Sequence, residues 1–251
     1  MNISINLDTV FRGIGPESSL ETLRSYGFTW FECWRIAAAD IPSLHTAATK
    51  SGLHMAACCP NHFILNDPAE HEAYEDSILQ SLPVLHDFGC RKLITQVGQS
   101  TGAPRKDQHD AIVNGLRRVA PHLEKAGVTL LVEPLNDVKN HPGYYLTSSD
   151  EGFAIIEAVN SPHVRLLYDL YHQLHMGEDV LAQISGHFPL IGHYHVAGFP
   201  NRDEHIFDGF DYRPFFALLQ KNNITEHIGI ELIPSAPDAI PPLLKTLQVY
   251  I

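Results

Sequence analysis

Basic side chains are scarce in this chain. Seventeen Lys and Arg stand against 29 Asp and Glu, a formal net charge of −12 with histidine neutral. A protein that grips nucleic acid or an anionic membrane needs clustered Lys and Arg, so neither partner is expected. Cysteine is sparse as well. The four residues Cys33, Cys58, Cys59 and Cys90 lack the paired spacing of a zinc site and are too few for a disulfide framework. They are expected to be reduced thiols of a cytoplasmic protein. No apolar run approaches the roughly 20 residues that span a bilayer. The start Met1-Asn2-Ile3-Ser4-Ile5-Asn6 has no basic segment leading into an apolar one, so no signal peptide is expected. Charged residues reach only 18% while apolar residues reach 44%, which excludes a disordered chain. Histidine is the abundant exception, with 16 copies; imidazole is a common metal ligand and proton carrier.

Short β-rich runs alternate with longer helical patterns from end to end. Strands are expected over 2–7, 29–34, 53–58, 92–97, 129–133, 165–169, 190–196 and 227–232. The intervening helical segments begin at Pro16-Glu17-Ser18 and continue over 43–50, 69–88, 107–125, 148–159, 177–185, 212–221 and 236–249. Proline and acids suit a first helical turn, and Gly52, Gly89 and Gly127 suit helix C-caps. Eight strand–helix units share 251 residues, about 31 each. Strict alternation favours a parallel sheet covered by helices, and eight units at this length favour an α/β fold of the closed (β/α)8 TIM-barrel type, with 1–251 as a single domain. An open doubly wound sheet would usually carry a G-x-G-x-x-G turn after its first strand, and here only Gly13-Ile14-Gly15 follows.

In such a barrel the chemistry gathers at the C-terminal ends of the strands. Those positions in the second half hold Glu133, Asp169, His195 and Glu231, spaced 36, 26 and 36 residues apart. Ionised carboxylates that end apolar strands are costly unless solvated, paired or metal-bound. Three acids converging on one barrel mouth also repel one another, and a dication removes that repulsion. Mixed Asp/Glu/His ligation suits one divalent metal ion, Mn²⁺ or Mg²⁺ foremost, with Co²⁺ or Zn²⁺ also accommodated; no organic cofactor is expected.

The elements around these residues are Val132-Glu133-Pro134-Leu135-Asn136, Pro142-Gly143-Tyr144-Tyr145-Leu146, Asp169-Leu170-Tyr171-His172-Gln173, Ile191-Gly192-His193-Tyr194-His195-Val196-Ala197, Pro200-Asn201-Arg202-Asp203-Glu204 and Ile230-Glu231. Together they resemble the sugar isomerase/epimerase superfamily of xylose isomerase-like TIM barrels, and within it the hydroxypyruvate isomerase-like branch. The specific motifs lie between about residues 128 and 234. The resemblance implies Glu133, Asp169, His195 and Glu231 as ligands of the metal, with His172 and Arg202 binding substrate. The chain departs from that branch in two places: His195 stands where its members tend to carry glutamine, and Asn201 where they carry glycine. The second substrate-binding acid of the epimerases would fall on Lys139.

Neighbouring residues carry weaker signals. His172, three residues after Asp169, is placed to hydrogen-bond a substrate hydroxyl or carbonyl. Arg202 either clamps substrate oxygens bidentately or pairs with Asp203 or Glu204. His193 shares a strand face with His195 and is expected one layer deeper, orienting a ligand. Glu32 and Trp34 share a face of the second strand, where Trp34 either walls the pocket or packs in the core. His54 is expected to be structural, His62 and Gln96 to line the pocket, and Tyr144 and Tyr145 to form part of a lid.

Two glutamates beside a metal suit proton shuttling next to a carbonyl. Glu133 and Glu231 would serve as the catalytic pair, one taking a proton from carbon and one returning it, through an enediolate held by the metal. The expected activity is isomerisation of a small sugar or hydroxy-keto acid such as hydroxypyruvate, in a possible homo-oligomer. The rivals are a dehydratase of a keto-inositol or dehydroshikimate-like substrate, a multi-metal phosphodiesterase disfavoured by the acidity, and a non-catalytic sugar-binding barrel.

Overall fold

The computed structural model describes residues 1–34 and 39–251. Eight parallel strands form the wall of a nearly closed barrel: β1 Ile3–Asn6, β2 Trp30–Glu32, β3 His54–Ala57, β4 Lys92–Thr95, β5 Thr129–Val132, β6 Val164–Asp169, β7 Ile191–Val196 and β8 Ile228–Ile230. The hydrogen-bonded order runs β3-β2-β1-β8-β7-β6-β5-β4. Between β3 and β4 the seam is thin. It is bridged where Cys58 accepts from the Ile94 N–H at 2.7 Å and donates to the Lys92 carbonyl at 3.4 Å.

Helices follow the strands at the expected places, among them Pro16–Ser25, Ile41–Ser51, His71–Asp87, Arg105–Ala126, Ser149–Val159, Val180–His187, Arg213–Lys221 and Ile240–Leu247. Gly52 and Gly127 close their helices in the left-handed conformation at φ 69° and 64°, as the sequence anticipates. None of the described helices is long and apolar enough to cross a membrane.

The strands are shorter than expected at several ends, and the shortening matters. Glu133 and Glu231 each lie one residue beyond their strands. Each still donates its N–H to the next strand, to Thr95 O at 3.0 Å and Val196 O at 3.1 Å. That last bond fixes the backbone, and the chain then turns away at Pro134 and Leu232. Two one-turn helices went unanticipated, Leu7–Val10 and Leu170–His175, directly after β1 and β6. Such short helices show no amphipathic period. Each is started by a strand-end side chain acting as N-cap: Asn6 accepts from the Thr9 N–H, and Asp169 from the His172 N–H.

The barrel interior divides into two halves. Ala57, Ile94, Leu131 and Leu167, from β3 to β6, form a small apolar cluster separate from the core under the helices. The strands β1, β2 and β7 contribute polar groups instead: Ser4, Glu32, His193 and His195, all buried. Since β2 and β7 are not neighbours in the sheet, the contacts of Glu32 with His193 and His195 must pass through the interior.

Candidate active site

Asp169 closes β6 and pairs in register with His195 of β7, which in turn pairs with Gly229 of β8. This register draws the four strand-end residues singled out by the sequence into one cluster. Ligand atoms of Glu133, Asp169, His195 and Glu231 all lie within 4.8 Å of one another, and all four residues are buried. His195 is at the centre. Its Nδ1 stands 3.5 Å from Glu133 Oε1, 3.5 Å from Glu231 Oε2 and 3.9 Å from Asp169 Oδ2. Among the described residues, neither His195 Nδ1 nor Glu133 Oε1 has a hydrogen-bond partner. Buried polar atoms are almost always satisfied, so a converging set with orphan lone pairs fits a divalent cation. The donor set, three carboxylates and one imidazole, suits Mn²⁺ or Mg²⁺ and accommodates Co²⁺ or Zn²⁺.

The electrostatics point the same way. Burial, with Glu133 and Glu231 nearby, pushes Asp169 up to about 7 against the pull of His195. For His195 burial works downward, but Glu32, Glu231 and Glu133 outweigh it and hold the pKa well above the usual imidazole value. Without a cation, the cluster therefore keeps its balance by holding protons. Glu231 differs from its neighbours: burial is overcome by Arg202, His195 and Trp34, which keep its carboxylate ionised.

Two side chains pin Glu231. Trp34 Nε1–H donates to Oε1, and Arg202 donates from Nη2 to Oε2 at 2.6 Å and from Nε to the backbone carbonyl at 3.3 Å. Arg202 is thus paired with Glu231 and not with Asp203 or Glu204. It adopts φ 63°, a conformation uncommon for a residue with a Cβ, and lies over the Tyr171 ring. Glu133 is held more loosely, its one side-chain donor among the described residues being Gln96 Nε2 at 3.4 Å.

His172 is fully buried, and its tautomer is determined. Nδ1 accepts from the Asn136 backbone N–H at 3.2 Å and faces Asn136 Nδ2 at 2.7 Å. Burial and the positive charge of Arg202 lower its pKa well below normal. The ring is therefore neutral with its proton on Nε2, an atom 3.6 Å from Asp169 Oδ2 and without a hydrogen-bond partner among the described residues.

These groups border a cavity of about 810 Å³ at the C-terminal mouth of the barrel, lined among others by Trp34, Phe63, Gln96, Glu133, His172, Arg202 and Glu231. Of the two roles open to Trp34, it takes the wall and not the core, and Gln96 lines the cavity as expected. Other expectations fail. His62 does not line the cavity and instead sets Nε2 3.0 Å from Glu70. Tyr145 points elsewhere, its hydroxyl donating to Glu151 and to Arg105 O. Tyr144 is a clamp and not a lid: its buried hydroxyl accepts from the Val97 N–H at 2.9 Å and donates to Glu133 O at 3.0 Å, tying the ends of β4 and β5. His54 packs against Trp30 at the other end of the barrel, a structural role. Sequence reasoning missed Asp8, which accepts the Trp34 N–H, and His141, whose ring lies 5.4 Å from that of His172. Neither sits at a strand end with barrel spacing, so neither carried a signal.

The xylose isomerase-like TIM barrel family model matches residues 20–248. The chain belongs to that family. Hydroxypyruvate isomerase of Escherichia coli is 26% identical over 168 residues, 66% of this chain and 65% of its own length. The chain thus spans just under two thirds of that relative. A 2-oxo-tetronate isomerase of Cupriavidus necator is 33% identical over 110 residues, 44% of this chain and 42% of its own. Among solved structures, an AP endonuclease of family 2 from Brucella melitensis superposes with a TM-score of 0.92 at 23% identity, covering 100% of this chain and 99% of that one. At that identity the likeness shows the fold.

Proposed function

We propose that this protein is a divalent-metal-dependent isomerase of a small hydroxy-carbonyl compound, with Glu133 and Glu231 transferring a proton between neighbouring carbons. One observation carries the reading: the two glutamates flank His195 Nδ1 at 3.5 Å each, on the floor of a cavity open to a small molecule. The names of the relatives, a hydroxypyruvate isomerase and a 2-oxo-tetronate isomerase, support the same class of substrate.

A divalent ion held by Glu133, Asp169, His195 and Glu231 would supply Lewis-acid polarisation of the substrate carbonyl and charge compensation when a carbon loses its proton. The chain's own groups do the rest. Glu133, with a single long hydrogen bond, is the carboxylate free to take the proton from carbon. Glu231, held ionised and oriented by Trp34 and Arg202, is the second carboxylate to exchange a proton, as near to His195 Nδ1 as Glu133 is. His172 presents Nε2–H to a substrate oxygen, a donor whose direction Asn136 fixes before substrate arrives. Arg202, 11% exposed, contributes positive charge beside the developing oxyanion. Trp34, Phe63 and Leu135 supply the apolar part of the cavity wall beside these groups.

The test is a pair of isosteric variants, Glu133→Gln and Glu231→Gln, assayed on short hydroxy-keto acids and ketoses in the presence of Mn²⁺. Each is expected to abolish turnover while circular dichroism stays native. Near-normal activity in either variant removes the mechanism. A product lighter by one water makes the enzyme a dehydratase.

A further inference from the structure

Glu32 is wholly buried inside the barrel, and no role follows for it from the four-residue cluster alone. It is surrounded by donors. Its Oε1 accepts from the Ser4 hydroxyl and from His193 Nε2–H at 2.9 Å, and its Oε2 accepts from His195 Nε2–H at 3.0 Å. A carboxylate accepts only, so the hydrogen on His195 has to sit on Nε2. In the neutral imidazole, the form that can ligate, Nδ1 is then a bare lone pair, and it is the atom that faces Glu133, Asp169 and Glu231. With the opposite tautomer, an N–H would point into three carboxylates and the imidazole could not ligate.

The barrel keeps this contact open by design of its smallest residue. In register, Gly229 lies beside His195 on one side and Ser4 on the other. A Cβ at Gly229 would stand 2.5 Å from His195 Cδ2 and 2.6 Å from Glu32 Oε1, within both partners of the bond. Only glycine leaves room for it. Glu32, His193 and His195 are close enough to suggest a second cation site. The histidine N–H groups, however, both point at Glu32, and the Ser4 hydroxyl occupies it as well, so the group is a hydrogen-bonded support.

The geometry points to Glu32 as the positioning residue of the metal centre: by holding the proton of His195 on Nε2, it makes Nδ1 the ligand atom. This rests on the metal reading under Proposed function. Such outer partners typically contribute 10- to 100-fold in metal affinity. Glutamine at position 32 offers one acceptor oxygen where three donors need two. Either His195 meets an amide N–H and its tautomer reverses, or Ser4 and His193 do and the ring loses its support.

Two measurements test this on the full chain. Mn²⁺ titration followed by the signal of the free ion should show about 10- to 100-fold weaker binding in Glu32→Gln than in wild type. Long-range ¹H–¹⁵N correlation of the Zn²⁺-loaded, ¹⁵N-histidine-labelled protein should show His195 with its proton on Nε2, the signal being assigned by its loss in His195→Gln. A merely structural Glu32 would lower the melting temperature and leave both readouts in place. Gly229→Ala serves if Glu32→Gln does not fold, with the same loss of affinity expected. A wild-type His195 protonated on Nδ1, or variant affinity within about twofold of wild type, overturns the inference. If wild type binds neither Mn²⁺ nor Zn²⁺, the proposed function falls instead. The tautomer is then read in the metal-free protein at alkaline pH, where a proton on Nε2 upholds the hold of Glu32 on the His195 tautomer and one on Nδ1 refutes it.

Discussion

Metal affinity should fall steeply as pH falls through neutrality. A cation entering the cluster needs Asp169 ionised and His195 Nδ1 unprotonated. Burial and the neighbouring glutamates push Asp169 up to about 7. Around His195, Glu32, Glu231 and Glu133 outweigh the opposing effect of burial and raise the pKa well above normal. Both shifts have the same sign: each makes the metal-free protein retain a proton that binding must release. Each proton displaced costs a factor of ten in apparent affinity per pH unit below its pKa, about 1.4 kcal/mol. At pH 6 Asp169 alone accounts for about a tenfold loss relative to alkaline pH, and His195 brings the slope towards roughly a hundredfold per unit. The assay is Mn²⁺ titration by calorimetry from pH 5.5 to 8.5, in buffers of different ionisation enthalpy so that released protons are counted. Constant affinity between pH 6 and pH 8 with no proton release would refute the reasoning.

Three further outcomes follow from single contacts. Trp34→Phe keeps an aromatic wall but removes the N–H on Glu231; a hydrogen bond to a charged group is worth about 1.5–3 kcal/mol. Steady-state kinetics should show kcat/KM down about 10- to 100-fold with an unchanged melting temperature. Arg202→Lys replaces the fork that reaches both the carboxylate and the backbone of Glu231 with a point charge, and should lower kcat/KM at least about tenfold in the same assay. Tyr144→Phe strips the buried Val97 N–H and Glu133 C=O of their shared hydroxyl. Urea denaturation should show a loss of about 1–3 kcal/mol.

The barrel was legible because its repeat is long and regular. Eight apolar runs separated by helix-length segments leave few other ways to bury both faces of a parallel sheet. The acids at the strand ends were legible for the same reason: Glu133, Asp169 and Glu231 each stop an apolar run at barrel spacing. Their partners were less so. Glu32 stands out as an acid in an apolar strand, but its bonds to Ser4, His193 and His195 depend on sheet register and cross the interior. That Arg202 pairs with Glu231, 29 positions away, is a loop geometry that local sequence does not encode. Tyr144 and Tyr145 were expected to form part of a lid. Gly143 takes φ 83°, and the Tyr144 hydroxyl finds buried backbone partners while the Tyr145 hydroxyl bonds Glu151. Of the 16 histidines, some serve packing or bond backbone carbonyls, among them His54 against Trp30 and His163 on the Val128 carbonyl, and others pair with carboxylates, among them His122 with Glu75.

Solvent exchange at carbon tests the central claim most directly. The Mn²⁺-loaded protein is incubated in deuterated water with short hydroxy-keto acids and ketoses, and the products are read by NMR and mass. Proton transfer through Glu133 and Glu231 predicts deuterium at the carbon that receives the proton, and no incorporation with either Glu→Gln variant. Turnover of a substrate with no deuterium at carbon would contradict it.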